Sequence, residues 1–307
     1  MPVSSHDSGR VSMIAVRHVL FASSIFLSFV VFHSPLRDLL RLSSTDDLYS
    51  HIPFMPILIG AFFYGGRRSI FSRVRYSPAA GAASLGLGIL FARGLTYFSD
   101  FSQKGCLTPS ILSVLSVWVA VFICFYGFAA FRRALFPFAL LLFVVPVPES
   151  LTRPVVLVLQ DIAVNMVDWS LSVLGAPVIR DGNFFRFPRA TMLVAEGCVG
   201  LHSLLVLVIV SMMGARLFLR GGWMRVSAVA AAVPVAIAKN ALRIVALSLL
   251  ILYAGEGSVL TQAFHKHVSF SIPSVVVEGF LIWLLRRWET KRISRGESPA
   301  IDDAIVR

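Results

Sequence analysis

Apolar runs broken by short basic clusters repeat along this chain from end to end. Eight stretches, over residues 13–32, 52–64, 78–98, 109–131, 134–147, 200–219, 223–254 and 268–285, are predominantly apolar. A helix needs ~20 such residues to cross the hydrocarbon of a bilayer. The pattern predicts an all-α polytopic membrane protein of about eight transmembrane helices. The second and fifth stretches are short, and Pro56, Pro137 and Pro146 permit kinks where neighbouring helices satisfy the backbone. No small-x-small step precedes His33-Ser34-Pro35, so the first stretch reads as a retained helix rather than a cleaved signal.

One region breaks the pattern. Residues 151–175 mix apolar runs with Gln160, Asp161, Asn165, Asp168 and Trp169. Asp161, Asn165, Asp168 and Ser172 are three or four apart and share one helical face. The spacing predicts an amphipathic helix lying at the outer interface. Residues 177–195 carry Gly, Asn, Pro and short β-type runs, which predict a small extracytoplasmic loop or hairpin. That loop feeds directly into Glu196-Gly197-Cys198.

Composition agrees with a membrane class: 57% of residues are hydrophobic and 14% charged, against about 25% charged in a soluble domain. The net charge of +12 is spread over clusters between apolar segments, not gathered into one patch with aromatics, so a nucleic-acid partner is not expected. The clusters choose an orientation instead. Arg67, Arg68, Arg73 and Arg75, then Arg132 and Arg133, then Arg216, Arg220 and Arg225, then Arg286, Arg287, Lys291, Arg292 and Arg295 occupy alternate loops. The positive-inside rule puts those loops and both termini in the cytoplasm. Three cysteines without a Cys-x-x-Cys or His-Glu-x-x-His pattern give no support to a disulfide framework or a metal site, and no cofactor is expected.

The basic loops also serve as depth markers. At ~1.5 Å per residue, Cys198 lies about 27 Å from Arg216, Arg243 about 27 Å from Arg225, and His265 about 31 Å from Arg286. The hydrocarbon core is ~30 Å thick, so all three reach the outer interface if their helices are continuous. A thiolate is a nucleophile that a nearby imidazole or guanidinium favours. His265 would take the thiol proton and return it to a leaving amine. Arg243 keeps its charge and would bind a carboxylate or an oxyanion. Gly197 and Gly200 leave the backbone beside Cys198 open to a substrate. Blander readings stand beside these. A lone thiol at a helix end is ordinarily structural, as Cys124 in mid-span is expected to be. Arg243 would reach the headgroups by snorkelling. His267 rivals His265, and His202, one turn after Cys198, is a third base. Arg93, Lys239 and Glu278 are the other charges within apolar stretches, with structural pairing the first reading.

Several short motifs run from about Arg132 to Trp288: Phe136-Pro137 through Val145-Pro146-Val147-Pro148, Leu174-Gly175-Ala176-Pro177-Val178, then Gly182 and Phe187-Pro188. Their core is Glu196-Gly197-Cys198-Val199-Gly200-Leu201, Asn240-Ala241-Leu242-Arg243-Ile244 and Phe264-His265. On these residues the chain resembles the exosortase/archaeosortase family. It departs at His202, Lys266 and Ser269. The resemblance implies a bacterial inner-membrane cysteine protease/transpeptidase whose active site faces the periplasm. It makes Cys198 the nucleophile, Arg243 the substrate or oxyanion binder and His265 the acid/base, with Glu196, Gly200, His202 and Asn240 in support. The implied partners are secreted proteins with a C-terminal motif of the Pro-Glu-Pro kind, a transmembrane helix and a basic tail. The acceptor is left unspecified. The expected organisation is N-terminal transmembrane helices over 1–131, a catalytic transmembrane core over 132–288 and a basic tail over 289–307. Two rival readings remain: a transporter or flippase for envelope polysaccharide or lipid precursors, and a thiol redox protein using Cys106 and Cys198.

Overall fold

The computed structural model describes residues 5–96, 103–188, 190–195, 200–255, 258–262 and 271–294. The chain forms two compact units, Met1–Arg153 and Pro154–Arg307.

The first unit is built around α5 (Gln103–Tyr126). Its other helices are α1 (Ser5–Val31), α2 (His33–Thr45), α3 (Met55–Ile70), α4 (Pro78–Leu95), α6 (Phe128–Arg133) and α7 (Leu135–Leu141). Pro35 has no N–H and its ring crowds the carbonyl four residues back, so the helix breaks at Phe32 and α2 leaves α1 at 74°. α1 runs antiparallel to α5: the His18 ring bonds the Tyr126 hydroxyl at 2.7 Å, and Trp118 Nε1 donates to Ser28 Oγ at 2.7 Å. α4 and α5 approach closely through glycine. A Cβ on Gly81 would lie 2.9 Å from the Ala120 carbonyl oxygen, and one on Gly88 would lie 2.2 Å from Ser116 Oγ. Small residues at such a seam are how membrane helices pack. Cys124, against Gly81, belongs to this seam.

Residues 134–147 run the length of α5 despite the shortness of α7. Phe138 meets Phe122 edge to face near one end, with ring centroids 5.0 Å apart. A 3₁₀ turn and an extended step then carry the chain to Pro146, whose carbonyl accepts from Thr108 Oγ1 at 2.7 Å near the other end. Thr108 to Tyr126 is ~27 Å of helix. Seven helical residues, a 3₁₀ turn and an extended tail cover that distance. The basic residues gather at the Tyr126 end: the Arg75 N–H donates to the Tyr126 carbonyl, and Arg133 donates to Ser72 Oγ.

The second unit contains most of α8 (Glu149–Val173), a three-stranded antiparallel sheet, α9 (Leu201–Phe218), α10 (Gly222–Ala254) and α11 (Ser271–Ser294). The strands are β1 (Ile179–Asp181), β2 (Phe184–Phe187) and β3 (Ala190–Leu193), in that order. Gly182, at φ +60°, makes the tight turn between β1 and β2. Alternation sends Phe185, Phe187 and Met192 inward. They pack with Val164, Val167 and Leu171 of α8 and with Ile244, Val245 and Ile251 of α10. On α8, Asp161, Asn165 and Ser172 stay exposed, and Arg180 of β1 bonds Asn165 at 2.8 Å and Asp168 at 3.3 Å.

Among the described residues six helices are long and apolar enough to cross a membrane, or seven with the bent α1–α2 pair, where the sequence predicts eight. The difference has physical causes. Residues 134–147 run beside α5 without a long helix. α11 carries Glu278, Arg286 and Arg287. α8 is long and apolar enough to cross, although its polar face matches the amphipathic pattern. The stretch expected to reach residue 131 ends at Tyr126, because Gly127 turns the chain at φ +84°.

Candidate active site

The segment 196–199 is anchored on both sides. Before it, the Val194 N–H donates to the Asn183 carbonyl at 3.0 Å, and the Val194 carbonyl accepts from Gln160 Nε2 at 2.6 Å. Gln160 and Val194 are both buried, so the end of β3 is pinned to the first hairpin turn and to α8. After it, Gly200 caps α9 at φ +78° and accepts from the Leu204 N–H. A Cβ on Gly200 would sit 2.8 Å from Oδ1 and 2.9 Å from Cγ of Asn240. Only glycine combines that dihedral with that approach. Asn240 is buried on α10, one turn before Arg243.

α10 is continuous from Gly222 to Ala254 through Pro234, so the helix assumed between Arg225 and Arg243 exists. Arg243 is half-buried between exposed Leu242 and buried Ile244. His202 is half-buried in the first turn of α9, the positive end of that helix's dipole. Glu196, Gly197, Cys198, His265 and His267 lie outside the described residues. Thus the structure brings Gly200 and Asn240 together, puts Arg243 one turn on, and leaves the thiol and both histidines undescribed.

The three long helices hold a fixed register. α9 and α10 run antiparallel, with Gly200 against Asn240, Leu207 packed with Ala232 and Ala236, and Ala215 packed with Ala228. α9 and α11 run parallel. Ser211 Oγ donates to Glu278 Oε1 at 2.7 Å, and Gly214 faces Ile282. The Arg220 N–H donates to the Glu289 carboxylate at 3.1 Å, and the Gly221 N–H donates to it as well. Glu278 is fully buried and takes a hydrogen bond from Ser211, with no ion pair among the described residues, so it is held by a hydroxyl and not by the charge pairing expected. Arg93 is exposed at the end of α4.

Gln160 is the supporting residue that sequence reasoning passed over. Its signal was its phase. It falls with Leu159, Ala163, Val164 and Val167 on the buried face, not with Asp161 and Asn165 on the wet one. Among the described residues no three His, Cys, Asp or Glu side chains could hold a metal ion together.

A family model described as transmembrane exosortase matches residues 40–285. The match takes in both anchors, Asn240, Arg243 and the undescribed segments that hold Cys198, His265 and His267, and begins well ahead of the quoted motifs. No curated protein and no solved structure matches the chain.

Proposed function

Because the chain belongs to the transmembrane exosortase family, a family of membrane cysteine proteases/transpeptidases, we propose that Cys198, Arg243 and His265 form its catalytic centre. The observation that carries this is the helix register. Gly200, two residues after Cys198 in sequence, sits against Asn240, one turn before Arg243 on α10. The α9–α11 contacts are 67 to 69 residues apart in sequence. This register has the helix directions that the depth argument from sequence assumes, α10 antiparallel and α11 parallel to α9.

The chemistry follows from the residue types. His265 accepts the thiol proton as Cys198 Sγ attacks the scissile carbonyl. Arg243 stabilises the oxyanion with its planar fork of donors. Collapse releases the amine, protonated by His265, and leaves a thioester on Cys198. An acceptor nucleophile then attacks the thioester and frees the thiol. The substrates are secreted proteins with a Pro-Glu-Pro-like motif, one transmembrane helix and a basic tail, transferred to an envelope acceptor.

Orientation rests on parity. Residues 134–147 carry the chain along α5 away from the basic end. If α8 also crossed, Arg216, Arg220 and Arg225 would lie opposite Arg132 and Arg133, against the positive-inside rule. With α8 at the interface, every basic cluster is cytoplasmic, and the sheet and Cys198 face outward from the inner membrane. The test is Cys198→Ala beside His265→Ala. Each abolishes or strongly reduces substrate processing, the histidine by ~10²–10⁴-fold. Full processing by Cys198→Ala sinks the assignment. Loss at His267→Ala with none at His265→Ala moves the base.

A further inference from the structure

We propose that the last turns of α11 form a binding site for the phosphate headgroup of an anionic phospholipid. The turn between α9 and α10 lies beside the C-terminal part of α11, joined to it by Glu289. Trp223, Trp283 and Trp288 are all exposed around it. Exposed tryptophans collect at the headgroup level of a bilayer. At that level α11 presents an open groove of about 320 Å³ lined by Trp283, Arg286, Arg287, Thr290, Lys291 and Ser294.

The groove is positive and unmatched. Glu289 is the acid among these turns, and its carboxylate is buried and occupied by the N–H groups of Arg220 and Gly221. Arg286, Arg287 and Lys291 make no ion pair among the described residues. The two guanidinium groups rest near rings instead: Arg286 lies 5.9 Å from the Phe218 centroid and Arg287 lies 5.4 Å from that of Trp283. A guanidinium supported by a ring still has N–H edges directed outward, and these suit phosphate oxygens. The Thr290 and Ser294 hydroxyls donate to backbone carbonyls within α11, so the charge falls to the three basic side chains. Trp283 and Phe280 stack at 5.6 Å just above and offer an apolar wall to the acyl chains. Basic clusters next to a membrane helix recognise anionic lipid through this combination. The occupant is a lipid, not free phosphate, because Trp283, which lines the groove, is stacked on Phe280 and gives it an apolar end.

The experiment uses the full chain purified in neutral detergent. Native mass spectrometry measures retention of phosphatidylglycerol against phosphatidylcholine with the same acyl chains. Wild type should retain phosphatidylglycerol preferentially, and R286Q/R287Q/K291Q should bind it about 10²-fold more weakly. The control R67Q/R68Q, altered at a basic cluster in the other unit, should bind as wild type. Inorganic phosphate should not displace the lipid. Should the triple variant misfold, the charge-conserving R286K/R287K/K291R keeps the preference, and the single K291Q gives a partial loss. Equal retention of the two lipids, or equal loss in both glutamine variants, overturns the proposal. Displacement by inorganic phosphate reduces the site to an anion site without lipid specificity and overturns it as well.

Discussion

At the scale of single residues, the anchors around 196–199 matter more than their polarity suggests. Gln160→Ala leaves the buried Val194 carbonyl without its partner, and an unmade buried hydrogen bond costs ~1–3 kcal/mol. The expected outcome is a lower melting temperature in detergent and slower processing, although Gln160 is far from Cys198 in sequence. Unchanged stability and rate would show that the end of β3 needs no such tether. Gly200→Ala is more severe, since it combines a left-handed dihedral, costing about 1–2 kcal/mol, with collision against Asn240. Asn240→Ala in the same chain should restore only part of the loss, because the dihedral penalty remains. Full restoration, read by thermal unfolding, would attribute the whole effect to the contact. Both glycine and asparagine were legible as motif residues. That they touch was not, because it depends on how α9 and α10 are set against each other.

At the scale of elements, the three-helix register is held by two carboxylates that do opposite kinds of work. Glu289 caps the turn between α9 and α10 by accepting backbone N–H groups. Glu289→Ala should destabilise the second unit by ~1–3 kcal/mol, seen as earlier thermal unfolding or faster amide exchange at residues 219–223. Glu278 is buried in the bundle with one oxygen bonded to Ser211 and the other unpartnered. Glu278→Gln keeps the acceptor oxygen and removes any charge, so the protein should fold and process substrate as wild type. A large loss in Glu278→Gln would show that ionisation of this group is used. Sequence periodicity gave α9, α10 and α4 almost to their ends, because their apolar runs are long and plainly bounded. It missed where α5 stops, since Gly127 turns the chain only in company with Arg75, whose carbonyl oxygen lies 2.7 Å from where a Cβ would be. It also left the sheet as a loop or hairpin. Strands of three and four residues carry too little pattern to be read without the α8 face they cover.

At the scale of the whole molecule, the apolar helices make a multi-pass membrane protein, and the match over residues 40–285 puts it in the exosortase family. Apolar length alone finds six or seven spans among the described residues, fewer than the eight that the sequence predicts. Residues 134–147 cover the length of α5 with only seven α-helical residues, and α8 has the length to cross but a wet face along one side. The proposed orientation predicts that a cysteine placed at Asn183 reacts with a membrane-impermeant thiol reagent in intact cells, while cysteines at Ser69 and Ser294 do not. The reverse pattern would put the sheet and the thiol in the cytoplasm. Loop charges alone put Cys198, Arg243 and His265 at one depth in the sequence reading; that Gly200 meets Asn240 one turn before Arg243 needed the packed helices.

The most direct test of the central claim is therefore chemical: co-expression of the full chain with a secreted protein that carries the motif, the transmembrane helix and the basic tail. The account predicts a hydroxylamine-sensitive thioester between that substrate and Cys198. Its amount should rise when the acceptor is limiting, and it should be absent in Cys198→Ala, which leaves the substrate uncleaved at matched membrane levels. Cleavage at the wild-type rate by Cys198→Ala, with no adduct at any time point, would contradict it.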